Sequence, residues 1–357
     1  MSQINTNAIL DASGGTTATV NGFTPTVSNM AGRNRIINGA MMIDQRNAGA
    51  SVTGNHDVYT LDRWKCNASQ SSKYTVQQIT DAPSGFIRSL KVTSSSAYTV
   101  GAAEIFGIRQ VLEGYSMEDW NWPNAGGKTV TLSFWVKSSL TGTFGGAVFS
   151  SSDNYIFSYS ISSANTWEYK TITIPAPTSG TWPTGNSGSA SIFWSLGSGV
   201  DRQQTAGAWY YSNARRSVTS EVQIVANNAA TWQITGVQLE VGSAATPFEH
   251  RQYGQELALC QRYFEAYTQA TTPHDRLAAG CGWSEAISKS FYVQKRAVPS
   301  ITWSNLEIRN GSNGAVAINF ILGTTNDLIA YGVSSVGGVG SFRYLNGTGY
   351  LWVNSEL

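Results

Sequence analysis

From residue 35 to about 251 the chain keeps a period of two. Apolar and polar residues alternate in short runs, and clusters of Gly, Asn, Ser or Pro cut one run from the next. Runs of this kind occupy 35–44, 59–66, 74–79, 89–93, 129–137, 146–149, 155–159, 167–174, 190–194, 208–211 and 232–240. They are rich in β-branched and aromatic residues, which suit a pleated, half-buried surface. Alternation sends successive side chains to opposite faces, so each run can bury one face and wet the other. Two packed sheets are the economical way to do this many times over. No regular helical pattern alternates with these runs, which disfavours a parallel α/β sheet. The segment 104–114 fits an irregular strand or a turn of helix, and is read as a strand.

Composition agrees with an all-β chain and narrows its partners. With 23 Lys+Arg against 22 Asp+Glu there is no charge excess to hold a phosphate backbone, so no nucleic-acid partner is expected. Charged residues make up only 13%, and 36 glycines serve many turns. So uncharged a surface also suits burial between identical subunits. No apolar run nears the roughly 20 residues that span a bilayer, so no membrane insertion is expected. The opening Met-Ser-Gln-Ile-Asn-Thr-Asn has no basic or apolar secretory region. Cys66, Cys260 and Cys281 are odd in number and unclustered. They predict no disulfide framework, and folding in a reducing cytoplasm.

The pattern predicts three parts. Residues 1–33 carry too few apolar side chains to close a core. They are a disordered tail or a docking arm, in which Ile4, Ile9, Leu10 and Phe23 would make the contacts. Residues 34–251 form the sandwich. Residues 252–357 begin with a short helix whose stripe is Leu257, Cys260, Tyr263, Phe264 and Tyr267, a candidate for subunit contact. β runs then return at 290–295, 300–303, 316–322, 340–344 and 349–353.

Four segments carry a resemblance. They are Asn34-Arg-Ile-Ile-Asn-Gly-Ala-Met41, Tyr59-Thr-Leu-Asp-Arg-Trp64, Leu132-Ser-Phe-Trp-Val-Lys-Ser-Ser139, and the junction from Ile234 through Pro247-Phe-Glu-His-Arg251 to Cys260-Gln-Arg-Tyr-Phe264. Their order and spacing resemble phage tail-fibre and tail-collar fibre proteins with a jelly-roll, carbohydrate-binding-like module, over about residues 30–265. Asn5-Thr-Asn-Ala-Ile-Leu-Asp looks like the tail-attaching start of such fibres, and Lys295-Arg-Ala-Val-Pro-Ser-Ile301 like their terminal β domain. The resemblance implies a homotrimeric virion protein made in the host cytoplasm. It would be joined to other tail proteins by its N-terminal arm and adhere to a host surface glycan. It supplies no catalytic residues.

Nothing in the sequence gathers catalytic groups. His56, His250 and His274 are far apart, and no metal-helix, phosphate-loop or nucleophile-elbow motif occurs. No enzyme, cofactor or metal is expected. Calcium bound near Asp44, Asp62 and Glu240 is a weaker option, since each also fits a solvated strand end. Aromatic side chains are the better lead, because a sugar's apolar face lies flat on them. Trp64, Phe134, Trp135, Trp167, Phe193 and Trp232 sit within strand patterns and read as core or half-core. Those flanked by turn residues are the candidate platforms: Trp120, Trp122, Trp182, Tyr210 and Tyr211. In the last part Tyr344 and Trp352 are candidates, beside Trp283, Tyr331 and Tyr350. The alternatives are a collar or adaptor subunit without host contact, and a polysaccharide depolymerase.

Overall fold

The computed structural model describes residues 32–151, 153–211, 215–268, 279–280, 286–304, 306–309, 315–316, 318–323, 327–332, 340–344 and 350–357. The arm residues Ile4, Ile9, Leu10 and Phe23 lie outside them, as do Cys281 and Trp283. The chain divides into two compact units, one ending at Arg251 and one running Gln252–Leu357.

The first unit holds β1 (Val52–Thr53), β2 (Lys65–Ala68), β3 (Tyr74–Ile79), β4 (Ser89–Ser94), β5 (Ile105–Glu113), β6 (Val130–Ser138) and β7 (Gly142–Phe149). It continues with β8 (Asn154–Ile161), β9 (Glu168–Ile174), β10 (Gly188–Ser198), β11 (Gln203–Gln204), β12 (Trp209–Tyr210), β13 (Ser217–Val218) and β14 (Thr231–Val241). One six-stranded sheet runs β1-β3-β4-β14-β6-β9, and a second runs β12-β8-β7-β10-β5-β2, both antiparallel. The chain crosses between them repeatedly, as in a jelly-roll sandwich.

Alternation fills the interior. Val130, Leu132, Phe134 and Val136 of β6 face Phe106 and Ile108 of β5 and Ile192, Trp194 and Leu196 of β10, all fully buried. The Trp194 ring meets Trp64 at 5.6 Å and Phe134 edge-on at 5.7 Å. Truncating such a ring to alanine costs about 3–5 kcal/mol.

Two segments expected as strands are otherwise. Residues 35–44 are irregular, because Asn38 and Met41 take φ of 57° and 58°, which no strand allows. Asn38 Nδ2 donates to the carbonyls of Ile43 (2.8 Å) and Asp62 (3.0 Å), and its Oδ1 accepts from Ile43 N–H (2.9 Å). Trp64 Nε1 donates to the Asn38 carbonyl at 3.0 Å. Residues 59–66 fold back on themselves: Tyr59 bridges Lys65, Arg63 has φ 70°, Thr60 N–H turns back to the Trp64 carbonyl, and only Lys65 and Cys66 enter β2.

Asn34 joins this knot to β14: its Nδ2 donates to the Val237 carbonyl (3.0 Å) and its Oδ1 accepts from Leu239 N–H (3.1 Å). At Gly39 a Cβ would stand 2.2 Å from the Val237 carbonyl oxygen, so only glycine lets the two backbones meet. Three of the four segments singled out in the sequence are thus parts of one interlocked corner.

The outer faces of the two sheets differ. Over the second sheet lie residues 199–211 and 215–222, with Val218, Ala206 and Tyr210 covering Ile105, Ala147, Phe149, Ile156 and Phe193. They are pinned by the buried Glu221 carboxylate, which accepts from Ser195 Oγ at 2.7 Å and from the hydroxyls of Ser198 and Ser217. The outer face of the first sheet, around β14, β6 and β9, carries half-buried and exposed side chains such as Trp135 and Tyr169.

The second unit holds α1 (Tyr253–Gln261), β15 (Phe264–Thr268), β16 (Ala279–Gly280), β17 (Ala286–Ser290), β18 (Ser300–Ser304) and β19 (Leu306–Arg309). It ends with β20 (Ala315–Val316), β21 (Ile318–Gly323), β22 (Asp327–Gly332), β23 (Gly340–Tyr344) and β24 (Tyr350–Asn354). Its sheets run β15-β24-β18, β16-β23-β19-β20 and β17-β22-β21. The helix is shorter than its stripe predicted, because Phe264 and Tyr267 belong to β15. Cys260, Tyr263, Phe264 and Tyr267 are buried and Leu257 is half-buried, so most of the predicted stripe offers no surface to a second subunit. The strand expected over 290–295 ends at Ser290. Beyond it Lys295 folds inward, its Nζ meeting the Glu265 carboxylate and the Gln261 carbonyl.

Candidate carbohydrate-binding groove

On the outer face of the first sheet a groove of about 450 Å³ is lined by Phe86, Trp135, Tyr169, Phe248 and His250, with Ser84, Gly85, Ser133, Gly236, Ala245, Thr246 and Pro247. That volume is in the range of saccharide-sized sites. Strand register builds one wall. Trp135 of β6 pairs directly with Tyr169 of β9, and their rings lie 5.4 Å apart at 48°. Loops build the other wall, where Phe86 meets Phe248 edge-on at 5.1 Å and His250 at 5.4 Å.

The floor is a break in β14. The pairing with β6 shifts between Thr235 and Gln238, and Gly236 in that bulge has φ 61°. A Cβ at Gly236 would lie 2.6 Å from the Phe86 ring and 3.1 Å from Trp135. The glycine therefore holds the two aromatic walls this close together.

The 246–249 wall is fixed from behind. Glu240 accepts from Thr246 N–H (2.8 Å) and Thr246 Oγ1 (2.6 Å), and Gln238 Oε1 accepts from Glu249 N–H (2.8 Å). Farther along the same face Lys137 Nζ pairs with Asp81 and lies 5.2 Å over the Trp167 ring, whose Nε1 donates to Asp81 at 3.3 Å. Burial pushes the Asp81 carboxyl up, but the Lys137 and Trp167 hydrogen bonds outweigh it and hold it below the usual range. Flat rings with a few polar groups at the rim suit a saccharide: rings take the C–H faces and the rim takes hydroxyls. The lining residues include one titratable group, His250, besides Tyr169, and no carboxylate.

The aromatics singled out in sequence fall elsewhere. Trp120, Trp122 and Trp182 are buried, and with Trp209 they form an edge-to-face cluster at 4.8–5.7 Å. Trp122 Nε1 donates to the Lys128 carbonyl at 2.7 Å and Trp209 Nε1 to Pro175 at 2.9 Å. These loops turn inward to close the end of the sandwich, so the three rings are not surface platforms. Tyr210 is half-buried over the second sheet, and Tyr211 is 60% exposed. Trp352 is half-buried between Phe264 (5.8 Å) and Tyr350 (4.8 Å) in the second unit. Tyr344 lies on β23, and its side chain is outside the described residues.

Sequence reasoning read Trp135 as core or half-core, and half-buried is where it falls, but it was not taken as a platform, and Phe86 and Phe248 were passed over. The signal existed: Phe86 follows Gly85 and Phe248 follows Pro247, the same turn-flanked setting as the chosen tryptophans. Among the described residues no three His, Cys, Asp or Glu side chains cluster as metal ligands. Asp44 accepts from the N–H groups of Asn47 and Gly49, Asp62 from Gln45, and Glu240 from Thr246. The three carboxylates proposed for calcium thus each serve a local turn or strand end.

Comparison with family models and with curated proteins finds no match. Among solved structures the chain is similar to the CBM22-1 xylan-binding domain of Xyn10C from Paenibacillus barcinonensis: 13% identity, 56% of this chain and 99% of that one, TM-score 0.29. It is similar also to a family 11 carbohydrate-binding module from Clostridium thermocellum, solved with a mixed-linked tetrasaccharide: 15% identity, 56% and 98%, TM-score 0.28. A third is the N-terminal cellulose-binding domain of Cellulomonas fimi β-1,4-glucanase C: 13%, 51% and 90%, TM-score 0.26. Likenesses this distant carry no ligand across to this chain.

Proposed function

We propose that this chain is a non-catalytic glycan-binding protein whose saccharide site is the Phe86–Trp135–Tyr169–Phe248 groove. One observation carries the reading: a glycine with positive φ seats two facing aromatic walls on the open sheet. Side chains that converge on a floor no other residue fits are costly unless they contact something. The lining has no lysine, arginine or carboxylate, which favours a neutral stretch of glycan there.

The four resembling segments support a finer reading. The protein is a homotrimeric phage tail fibre, docked to other tail proteins through residues 1–33, made in the host cytoplasm and adhering to a host surface glycan. Three copies per fibre multiply a weak groove affinity through effective concentration.

Titration of the full chain with host-surface oligosaccharides tests the reading. Wild type binds at least one saturably, and Trp135→Ala weakens that binding tenfold or more. Equal binding by both proteins contradicts the groove. Light scattering tests the trimer, and a monomeric mass removes it. Release of reducing ends from host polysaccharide contradicts a non-catalytic role.

A further inference from the structure

On the covered sheet Arg216 has no carboxylate partner among the described residues. Arg216 follows the edge strand β12 and lies flat over the Phe149 ring, its Cζ 3.8 Å from the centroid. Its Nη1 donates to Asn154 Oδ1 and, at 2.7 Å, to the Arg215 carbonyl. Those are its only hydrogen bonds among the described residues, and both leave through one nitrogen; Nε and Nη2 remain. No carboxylate pairs with it there. Its charged neighbours are Arg109 and Arg202, and burial first and those two charges next pull it down to about 10. Arg109 is itself engaged by Asp57 at 2.6 Å. A half-buried cation held rigidly among like charges is destabilised until an anion reaches it. A guanidinium with two free N–H edges grips a carboxylate or phosphate through paired hydrogen bonds.

The surroundings say what carries the anion. Asn154, which holds Arg216, is the register partner of Tyr210 and donates to its carbonyl at 3.4 Å. Tyr211, the next residue, is 60% exposed, and its hydroxyl lies 3.1 Å from Thr178 Oγ1. The fixed positive charge is thus bonded to β8 at the pairing with Tyr210, and the exposed ring is on the residue that follows in the chain.

We propose that Arg216 forms a second site that binds the anionic substituent of an acidic saccharide, a uronate carboxylate or a phosphate ester, with Tyr211 after the adjoining strand as the ring that would meet the sugar. It lies on the opposite sheet from the groove and does not depend on it. Calorimetric titration of the full chain at low ionic strength, with sodium phosphate, sodium D-glucuronate and D-glucose, tests this. The expected result is saturable binding of glucuronate or phosphate and none of glucose; whichever anion binds identifies the substituent. Arg216→Gln weakens anion binding at least tenfold, Arg216→Lys keeps part of it, and Tyr211→Ala weakens glucuronate more than phosphate. Trp135→Ala leaves it at the wild-type level, so failure of the groove and failure of this site read out separately. Should Arg216→Gln not fold, wild type and Arg216→Lys decide. No saturable anion binding, equal binding of glucose, or binding unchanged by the Arg216 substitutions overturns the proposal.

Discussion

The two sheets of the sandwich share strand number, antiparallel pairing and a common core, yet their outer faces solve opposite problems. The second sheet presents Ile105, Phe149, Ile156 and Phe193 outward and covers them with residues 199–211 and 215–222, locked by a buried carboxylate. The first leaves Trp135 and Tyr169 uncovered and raises loops carrying Phe86 and Phe248 beside them. An apolar sheet face must be covered or used. The second face is sealed by its own chain, and the first is the one on which the proposed neutral-sugar groove lies open.

Substitutions on each face sharpen or break that division. The largest effect is expected at the groove floor. Gly236→Val puts a β-branched residue at φ 61° with its Cβ 2.6 Å from the Phe86 ring. Unfolding free energy should fall by about 2–4 kcal/mol in urea titration, with saccharide binding lost. Trp135→Ala comes next and separates the two properties. Binding falls tenfold or more, which is about 1.4 kcal/mol, while thermal unfolding moves little because the ring is half-buried.

Glu221 tests the covered face through pH. Burial raises its carboxyl to about 7, against the partial relief of the Ser198, Ser217 and Ser195 hydroxyls. A raised carboxyl contributes stability that is whole below the ordinary carboxylate value and is lost as pH climbs through about 7. Wild type should therefore lose unfolding free energy between weakly acidic and neutral pH. Glu221→Gln should flatten that slope without changing saccharide affinity. A Glu221→Gln variant that loses saccharide binding breaks the division of labour. The smallest effect is expected for Thr246→Val, which removes the 2.6 Å bond to Glu240 behind the groove wall. About 1–2 kcal/mol of stability should go, with roughly a threefold loss of affinity as the Phe248 loop loosens.

Much of the sandwich was legible because period two is a strong signal wherever one strand face is buried. β3 spans Tyr74–Ile79, as its alternation predicts, and β14 spans Thr231–Val241, one residue beyond its run at either end. The pattern failed where side chains, not pleating, satisfy the backbone. Residues 35–44 alternate like a strand, but Asn38 replaces ladder bonds with its own amide. It failed again at 263–267, where β15 buries Phe264, Glu265 and Tyr267 on both faces and so imitates a helical stripe. The groove was harder to foresee. Its chemistry depends on Gly236 and Trp135 meeting loop residues 86 and 248, and a one-dimensional pattern does not report that approach. Trp120, Trp122 and Trp182 show the converse, loop rings that turn inward to seal the sandwich end.

The division between a sealed face and a receptive one is tested most directly by a crystal structure of the full chain with a bound host oligosaccharide. The expected result is a sugar ring in van der Waals contact with Trp135 and Phe86, above Gly236. A neutral sugar seated anywhere else, with those rings bare, would contradict it.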